Sequence, residues 1–151
     1  MSFIGLIADT HNLVRPEALE ALAGALQILH AGDICDPEIL EQLGRIAPVT
    51  AVRGNCDRLS PRWSLPQTIT VEIDGLRIHV IHDVQQIDLD PAAAGIDVVL
   101  SGHSHKPLVQ KSGGVLYVNP GSAGPRRFKP PVSLARLRIR GNKPRVEIIP
   151  L

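Results

Sequence analysis

Cysteine is scarce: only Cys35 and Cys56 occur in 151 residues. Two are too few for a disulfide framework, and they lack the C-x-x-C spacing of a structural zinc site. They read as two ordinary unpaired thiols on loops that follow successive strands. Long apolar runs are also missing; none approaches the ~20 residues needed to cross a bilayer. The N-terminal MSFIGLIADTHN has neither a basic leader nor a cleavage site. These absences predict a cytoplasmic protein without a membrane partner. An excess of either charge is missing as well, with Lys+Arg 16 against Asp+Glu 15 and a formal net charge of +1. That balance argues against stable nucleic-acid binding. A small acidic substrate remains open to it, because a local site can be positive on a neutral protein. One domain over 1–151 is expected at this length, and homo-oligomerisation is left open.

The first half alternates short apolar runs with helical patterns. Strands are expected at Phe3 to Ala8, Leu26 to His30 and Val49 to Val52, with helices at Pro16 to Ala25 and Pro37 to Leu43. Pro16 and Pro37 suit a first helical turn, and Asp36 is placed to cap the second helix. Two βα units with short connections predict parallel strands. The second half reads as mostly β. TITVEIDGLRIHVIHD forms a hairpin around Asp74-Gly75, and IDVVLSG is a strand buried on both faces. A short helix is expected around Pro91 to Ala94. Further strands are expected at Leu108 to Lys111, Val115 to Val118, Val132 to Arg140 and Arg145 to Ile149, with turns at Gly113-Gly114 and Gly141-Asn142.

Five polar clusters each follow an apolar strand: Asp9-Thr10-His11, Gly32-Asp33, Gly54-Asn55-Cys56-Asp57, His82-Asp83 and Gly102-His103-Ser104-His105. In an open α/β sheet, ligand-binding loops gather at the carboxyl ends of strands, so the clusters are placed to converge. They would bring together the carboxylates of Asp9 and Asp33, the imidazoles of His11, His82, His103 and His105, and the Asn55 amide oxygen. Seven mixed N and O donors without thiolate suit two divalent ions of the Mn, Fe, Co, Ni or Zn kind if one carboxylate bridges. In extended backbone, His103 and His105 point to the same side and can serve neighbouring ions.

In the order D-x-H, GD, GN, H, GHxH, with NPGS at Asn119 to Ser122, the sequence resembles the calcineurin-like metallophosphoesterases over nearly its whole length. Within them it looks like the small YfcE-like phosphodiesterases. The resemblance implies an α/β sandwich, two mixed β-sheets packed face to face and flanked by helices, with a dinuclear site at one end. It also implies one metal on Asp9, His11, Asp33 and His105, and a second on Asp33, Asn55, His82 and His103, with Asp33 as the bridge. Asp33, Asn55 and His103 are the residues it assigns to catalysis as well. The implied chemistry is in-line attack by a metal-bridging hydroxide on a phosphoester, a diester before a monoester. Manganese is the first candidate ion, with Ni, Fe, Co or Zn as others. The rival reading is a protein-interaction module on the same fold with little or no catalysis, as in the retromer subunit that resembles this family.

Two positions depart from the family pattern. Cys56 stands where many relatives have a His that can assist the leaving group, and Asp83 stands where many have Gly. Among the other polar residues, His30 reads as a strand residue under the site, and His79 as hydrogen-bonded or exposed. Asp57 reads as a partner of a ligand or a loop cap, and Asp83 as a loop charge. Arg126 is placed to reach a substrate phosphate, with Arg127 and Lys129 solvated. Arg136, Arg138 and Arg140 alternate with Ala135, Leu137 and Ile139, as on a solvent-facing sheet surface.

Overall fold

A computed structural model describes residues 2–57, 65–124 and 132–151. The chain opens with β1 (Ile4–Ile7), α1 (Pro16–Leu22), β2 (Gln27–His30), α2 (Pro37–Gly44) and β3 (Val49–Ala51). These strands pair in parallel, β1 with β2 and β2 with β3. Parallel pairing follows from the short helical crossovers, which return the chain to the same end of the sheet before each new strand. α1 ends three residues short of the expected boundary, because Ala23 turns to ψ 129° and Gly24 takes φ +88°. α2 starts where its sequence dictates, with Asp36 accepting from the Glu38 N–H at 2.9 Å and Pro37 in the first turn.

The second half supplies β4 (Thr68–Ile73), β5 (Leu76–Ile81), β6 (Val98–Leu100), β7 (Leu108–Ser112) and β8 (Val115–Asn119). It ends with β9 (Ser133–Arg140) and β10 (Lys143–Pro150). One sheet has the order β10-β9-β1-β2-β3 and the other β4-β5-β6-β8-β7. The final hairpin therefore joins the first sheet, through antiparallel pairing of β9 with β1. β6 is buried throughout and has parallel neighbours on both sides, as its unbroken apolar run requires. The expected short helix at Pro91 to Ala94 is instead a run of turns. The 3₁₀ turn of this segment lies earlier, at Val84–Gln86, where Asp83 caps it through the Gln85 N–H.

Two mixed sheets pack face to face. Leu6, Leu29 and Leu137 of the first meet Ile78, Val80 and Leu100 of the second. The outer face of the first sheet carries the helices, with Ile7, Ile28 and Leu134 against Leu22, Ile39 and Leu43. Burying each such side chain contributes about 1.5–3 kcal/mol. Arg136 is not simply solvated: its Nε donates to the Ala21 carbonyl at 3.0 Å and its guanidinium lies over the Phe3 ring. This packing holds six strands rigidly, β1, β2 and β3 in one sheet and β5, β6 and β8 in the other, each parallel to its partner or partners within its sheet. The loops at their carboxyl ends carry the polar clusters.

Candidate metal centre

The loop after β1 brings Asp9 and His11, the loop after β2 brings Asp33, and the loop after β3 brings Asn55. His82 directly follows β5, and β6 leads into His103 and His105. The structure brings all seven together. His11 Nε2 lies 3.4 Å from Asp33 Oδ2 and 4.0 Å from Asp9 Oδ1. His82 Nε2 lies 3.3 Å from Asp33 Oδ2 and 3.9 Å from Asp9 Oδ1, and His105 Nε2 is 3.6 Å from Asp9 Oδ1. His103 packs edge-on against His82 at 5.2 Å between centroids, and its Nδ1 is 3.5 Å from Asn55 Nδ2. Asp33 Oδ2 thus stands between the His11 and His82 rings, with His105 on the His11 side and Asn55 and His103 on the other.

Each carboxylate is held by one oxygen and aims the other inward. Asp9 Oδ2 accepts from the His103 N–H at 3.1 Å, and Asp33 Oδ1 from the Cys56 N–H at 3.0 Å. His82 Nδ1 donates to the Ala31 carbonyl at 2.8 Å, which leaves the Nε2 lone pair facing the carboxylates. The backbone is bent to achieve this. Among the described residues, nine non-glycine positions have positive φ. Seven of them (Asp9, His11, Asn12, Asp33, Cys35, His103, His105) lie in these loops, and Asp74 and Asn142 are hairpin turns. Left-handed backbone at non-glycine residues is costly and persists where the surroundings over-determine it. The expectation of extended backbone at GHSH is therefore corrected: His103 has φ 73° and His105 φ 63°. Through this left-handed loop the His105 ring reaches Asp9, while the His103 ring packs on His82.

The donor set fits divalent cations. Asp9 Oδ1 and His82 Nε2 are buried without a hydrogen bond, so a lone pair and a carboxylate oxygen face each other across the centre. In the metal-free protein a proton partly fills that role. Burial pushes Asp9 up to about 7, against the lowering pull of His82. For His82, burial disfavours the charged ring, but Asp33 and Asp9 outweigh it and raise the pKa above its ordinary value. For Asp33, burial is outweighed by His82, the Cys56 N–H and His11, which hold its carboxyl well below the usual range. A site that retains protons at the centre of two carboxylates and several imidazoles is short of positive charge.

The supporting residues are partly those expected. Asp57, buried, accepts from the N–H groups of Ile34, Cys35 and Gly54 at 2.7 to 2.9 Å and so joins the Asp33 loop to the Asn55 loop. Gly54 is required at this junction, since a Cβ there would overlap the backbone N and Oδ1 of Asp33. His30 does more than fill the strand. Its Nδ1 accepts from the Gly32 N–H and its Nε2 meets the Thr10 hydroxyl, both at 3.1 Å, so Nε2 carries the proton. Burial, with the nearby His82, lowers its pKa to about 3 and keeps the ring neutral. His79 is bonded to Thr70 at 2.9 Å.

Three contributions were not foreseen. Asn119 donates to the Gly102 carbonyl and Ser104 hydroxyl, Ser122 donates to the Asp9 carbonyl, and Asp83 Oδ2 lies 3.9 Å from His103 Nε2. The signal for the first two was the NPGS string, which marks Asn119 and Ser122 without showing the loops they brace. Cys35 and Cys56 are not two unpaired thiols: they form a disulfide between the Asp33 and Asn55 loops, their Cα atoms 5.4 Å apart. The convergence of the two loops brings them together, which spacing alone did not reveal. Arg126, Arg127 and Lys129 lie outside the described residues.

Fold and site together define an α/β sandwich with a cation-binding cluster at the carboxyl ends of its parallel strands. The profile of the calcineurin-like phosphoesterase superfamily domain matches residues 2–142, and the chain belongs to that superfamily. A probable metallophosphoesterase of Methanothermobacter thermautotrophicus is 39% identical, the match covering 97% of this chain and 91% of the relative. Among solved structures, YfcE, a phosphoesterase from E. coli, superposes with a TM-score of 0.70 at 23% identity, over 90% of this chain and 88% of that one. Vps29 of Entamoeba histolytica in complex with zinc superposes with a TM-score of 0.77 at 22% identity, over 98% of each chain. These two likenesses concern the fold.

Proposed function

We propose that the protein is a metal-dependent phosphodiesterase acting as one domain on small phosphoesters in the cytoplasm. One ion would be held by Asp9, His11, Asp33 and His105, and a second by Asp33, Asn55, His82 and His103. The observation that carries this reading is Asp33 Oδ2, which stands 3.4 Å from His11 Nε2 and 3.3 Å from His82 Nε2, as a bridging carboxylate would. Divalent ions, manganese first, would supply net positive charge toward a phosphoryl group and a nucleophile made from water at neutral pH. The chain's own part is orientation. The backbone N–H groups of His103 and Cys56 fix the two carboxylates, the Ala31 carbonyl fixes the His82 tautomer, and the neutral Asn55 withholds a third negative charge. With two carboxylates among seven donors, an anionic diester is attracted rather than repelled.

A protein-docking role is the second reading. It is favoured by the fold likeness to Vps29 and by Leu108 and Val109, exposed on the edge strand β7. Metal analysis of the purified protein, with hydrolysis of bis(p-nitrophenyl) phosphate under added Mn, Ni, Co, Zn and Mg, decides between them. Turnover abolished by chelator and restored by Mn is expected. A folded protein that takes up no ion and turns over with none overturns the enzyme reading, and turnover in chelator overturns its metal dependence.

A further inference from the structure

The disulfide lies at the edge of the proposed hydrolytic centre. Cys35 is two residues beyond Asp33, and Cys56 is next to Asn55. Cys35 Sγ is 3.8 Å from His11 Nδ1, the ring nitrogen turned away from the Asp33 and Asp9 carboxylates. One donor atom from each of His11, Cys35 and Cys56 lies within 4.8 Å of the other two. Cys35 and Cys56, both only partly buried, line an open cavity of about 520 Å³ with His11, Asp33 and Asn55, which gives a reductant a path to the disulfide. The loops also have a second tie: Asp57 accepts from the N–H groups of Ile34, Cys35 and Gly54 whether or not the sulfurs are bonded. Opening the disulfide therefore leaves two thiols beside the imidazole rather than releasing the loops.

We propose that Cys35 and Cys56 form a redox-gated site for a thiophilic divalent ion, closed as the disulfide and completed, when reduced, by His11 Nδ1. A small-molecule or protein dithiol gives the S–S bond two electrons and two protons and leaves as its own disulfide. Ion binding then releases the two thiol protons to water, giving two thiolates and one imidazole as ligands and an open fourth position. A neutral imidazole has one lone pair. An ion on Nδ1 thus withdraws His11 Nε2 from the carboxylate side, and occupation of the thiolate site opposes loading of the hydrolytic centre. The first half of the inference stands on the cysteine and histidine geometry. The second half rests on the proposed function, with His11 as a ligand there.

The test uses cobalt as the spectroscopic probe and zinc as the competitor. Oxidised protein, and protein reduced and then freed of reductant under anaerobic conditions, are titrated with Co²⁺. A thiolate-to-cobalt charge-transfer band in the near ultraviolet is expected in the reduced protein only. It should be absent in Cys35→Ala and in Cys56→Ala, and weakened about tenfold or more in affinity in His11→Ala. Thiol titration should find two reactive thiols after reduction, and zinc should mask both. In Mn-loaded protein, one equivalent of zinc should lower turnover about tenfold or more in the reduced form and spare the oxidised form. No band in the reduced protein, or a band that persists in both Cys→Ala variants, overturns the site. A band with equal zinc sensitivity in the two redox states overturns the gating. If no ion supports turnover in either state, the proposed function fails, and the band and thiol count still decide the thiolate site.

Discussion

Asp57→Asn should loosen the centre without touching a proposed ligand. Asp57 Oδ1 accepts from Ile34 at 2.9 Å and Cys35 at 2.7 Å, and Oδ2 accepts from Gly54 at 2.9 Å and more weakly from Ile34. Whichever way an amide turns, its NH₂ group faces at least one of these donors. A buried N–H left without an acceptor costs about 1–3 kcal/mol. The Ile34 contact is the most enclosed, so the amide oxygen should keep Ile34 and Cys35 and leave Gly54 without an acceptor, a loss of about 1–3 kcal/mol. For a chain of this size that is a melting-temperature loss of about 2–12 °C. The loops involved carry Asp33 and Asn55, so Mn affinity should fall about 10–100-fold, as when an outer partner of a ligand is lost. Thermal melts with and without Mn, together with calorimetric titration of Mn, measure both effects on oxidised protein. The disulfide stays intact there and isolates the carboxylate. A melting-temperature change below about 2 °C with unchanged Mn affinity would refute the argument and show that the disulfide alone positions the two loops.

Asp33→Asn, tested by metal analysis and diester hydrolysis, should lower bound metal below that of the parent protein and abolish turnover, since a neutral amide cannot balance two cations. Full metal content with normal turnover would remove Asp33 from the bridging role. The pH dependence follows from the metal-free shifts. Asp9 is raised from 3.8 to about 7 and retains a proton that the unfolded chain releases, so apo stability falls as pH rises from about 4 to about 7. The raised His82 acts in the same direction above its ordinary value, whereas the depressed Asp33 stabilises above the usual carboxylate range and loses that effect in acid. Metal needs the ionised Asp9, so the melting-temperature gain from Mn should grow between about pH 5.5 and about pH 8. A gain that is flat across that range would contradict the Asp9 assignment.

How much was legible depended on how local the cause was. β6 and the Asp74-Gly75 hairpin are properties of contiguous residues, and both were read correctly. So were Asp36 as a helix cap and the parallel order of β1, β2 and β3. Convergence of the motifs was legible because each follows a strand, and parallel strands in a sheet present their carboxyl ends to one edge. What was missed depends on loop paths. The disulfide forms because the left-handed turns at Asp33 and Cys35 swing one loop toward the next. The bracing by Asn119 and Ser122 joins residues separated by 15 and 113 positions. The Pro91 segment had a helix-starting proline and three alanines. It still forms turns, because the Arg77 side chain takes the Ala94 carbonyl and the Asp97 carboxylate takes the Arg77 N–H.

The disulfide also bears on how a leaving group could depart. Position 56, where many relatives carry a histidine, holds a sulfur without a proton in the oxidised protein. The cavity is lined by His11, Asn12, Asp33, Cys35, Asn55, Cys56, His103 and His105. Each titratable member of that set is either a proposed ligand or half of the disulfide. His30, the other histidine near the centre, is sealed below it, with both nitrogens engaged by Gly32 and Thr10. Losing a general acid typically costs 10²–10⁴-fold with a poor leaving group, so under the proposed function the expected substrates are esters whose leaving oxygen departs as a stable anion. Reduction would restore an S–H at Cys56, yet the same step opens the thiolate site that competes for His11. The two consequences oppose each other: the redox state that could widen the range of leaving groups is also the one most exposed to a thiophilic ion.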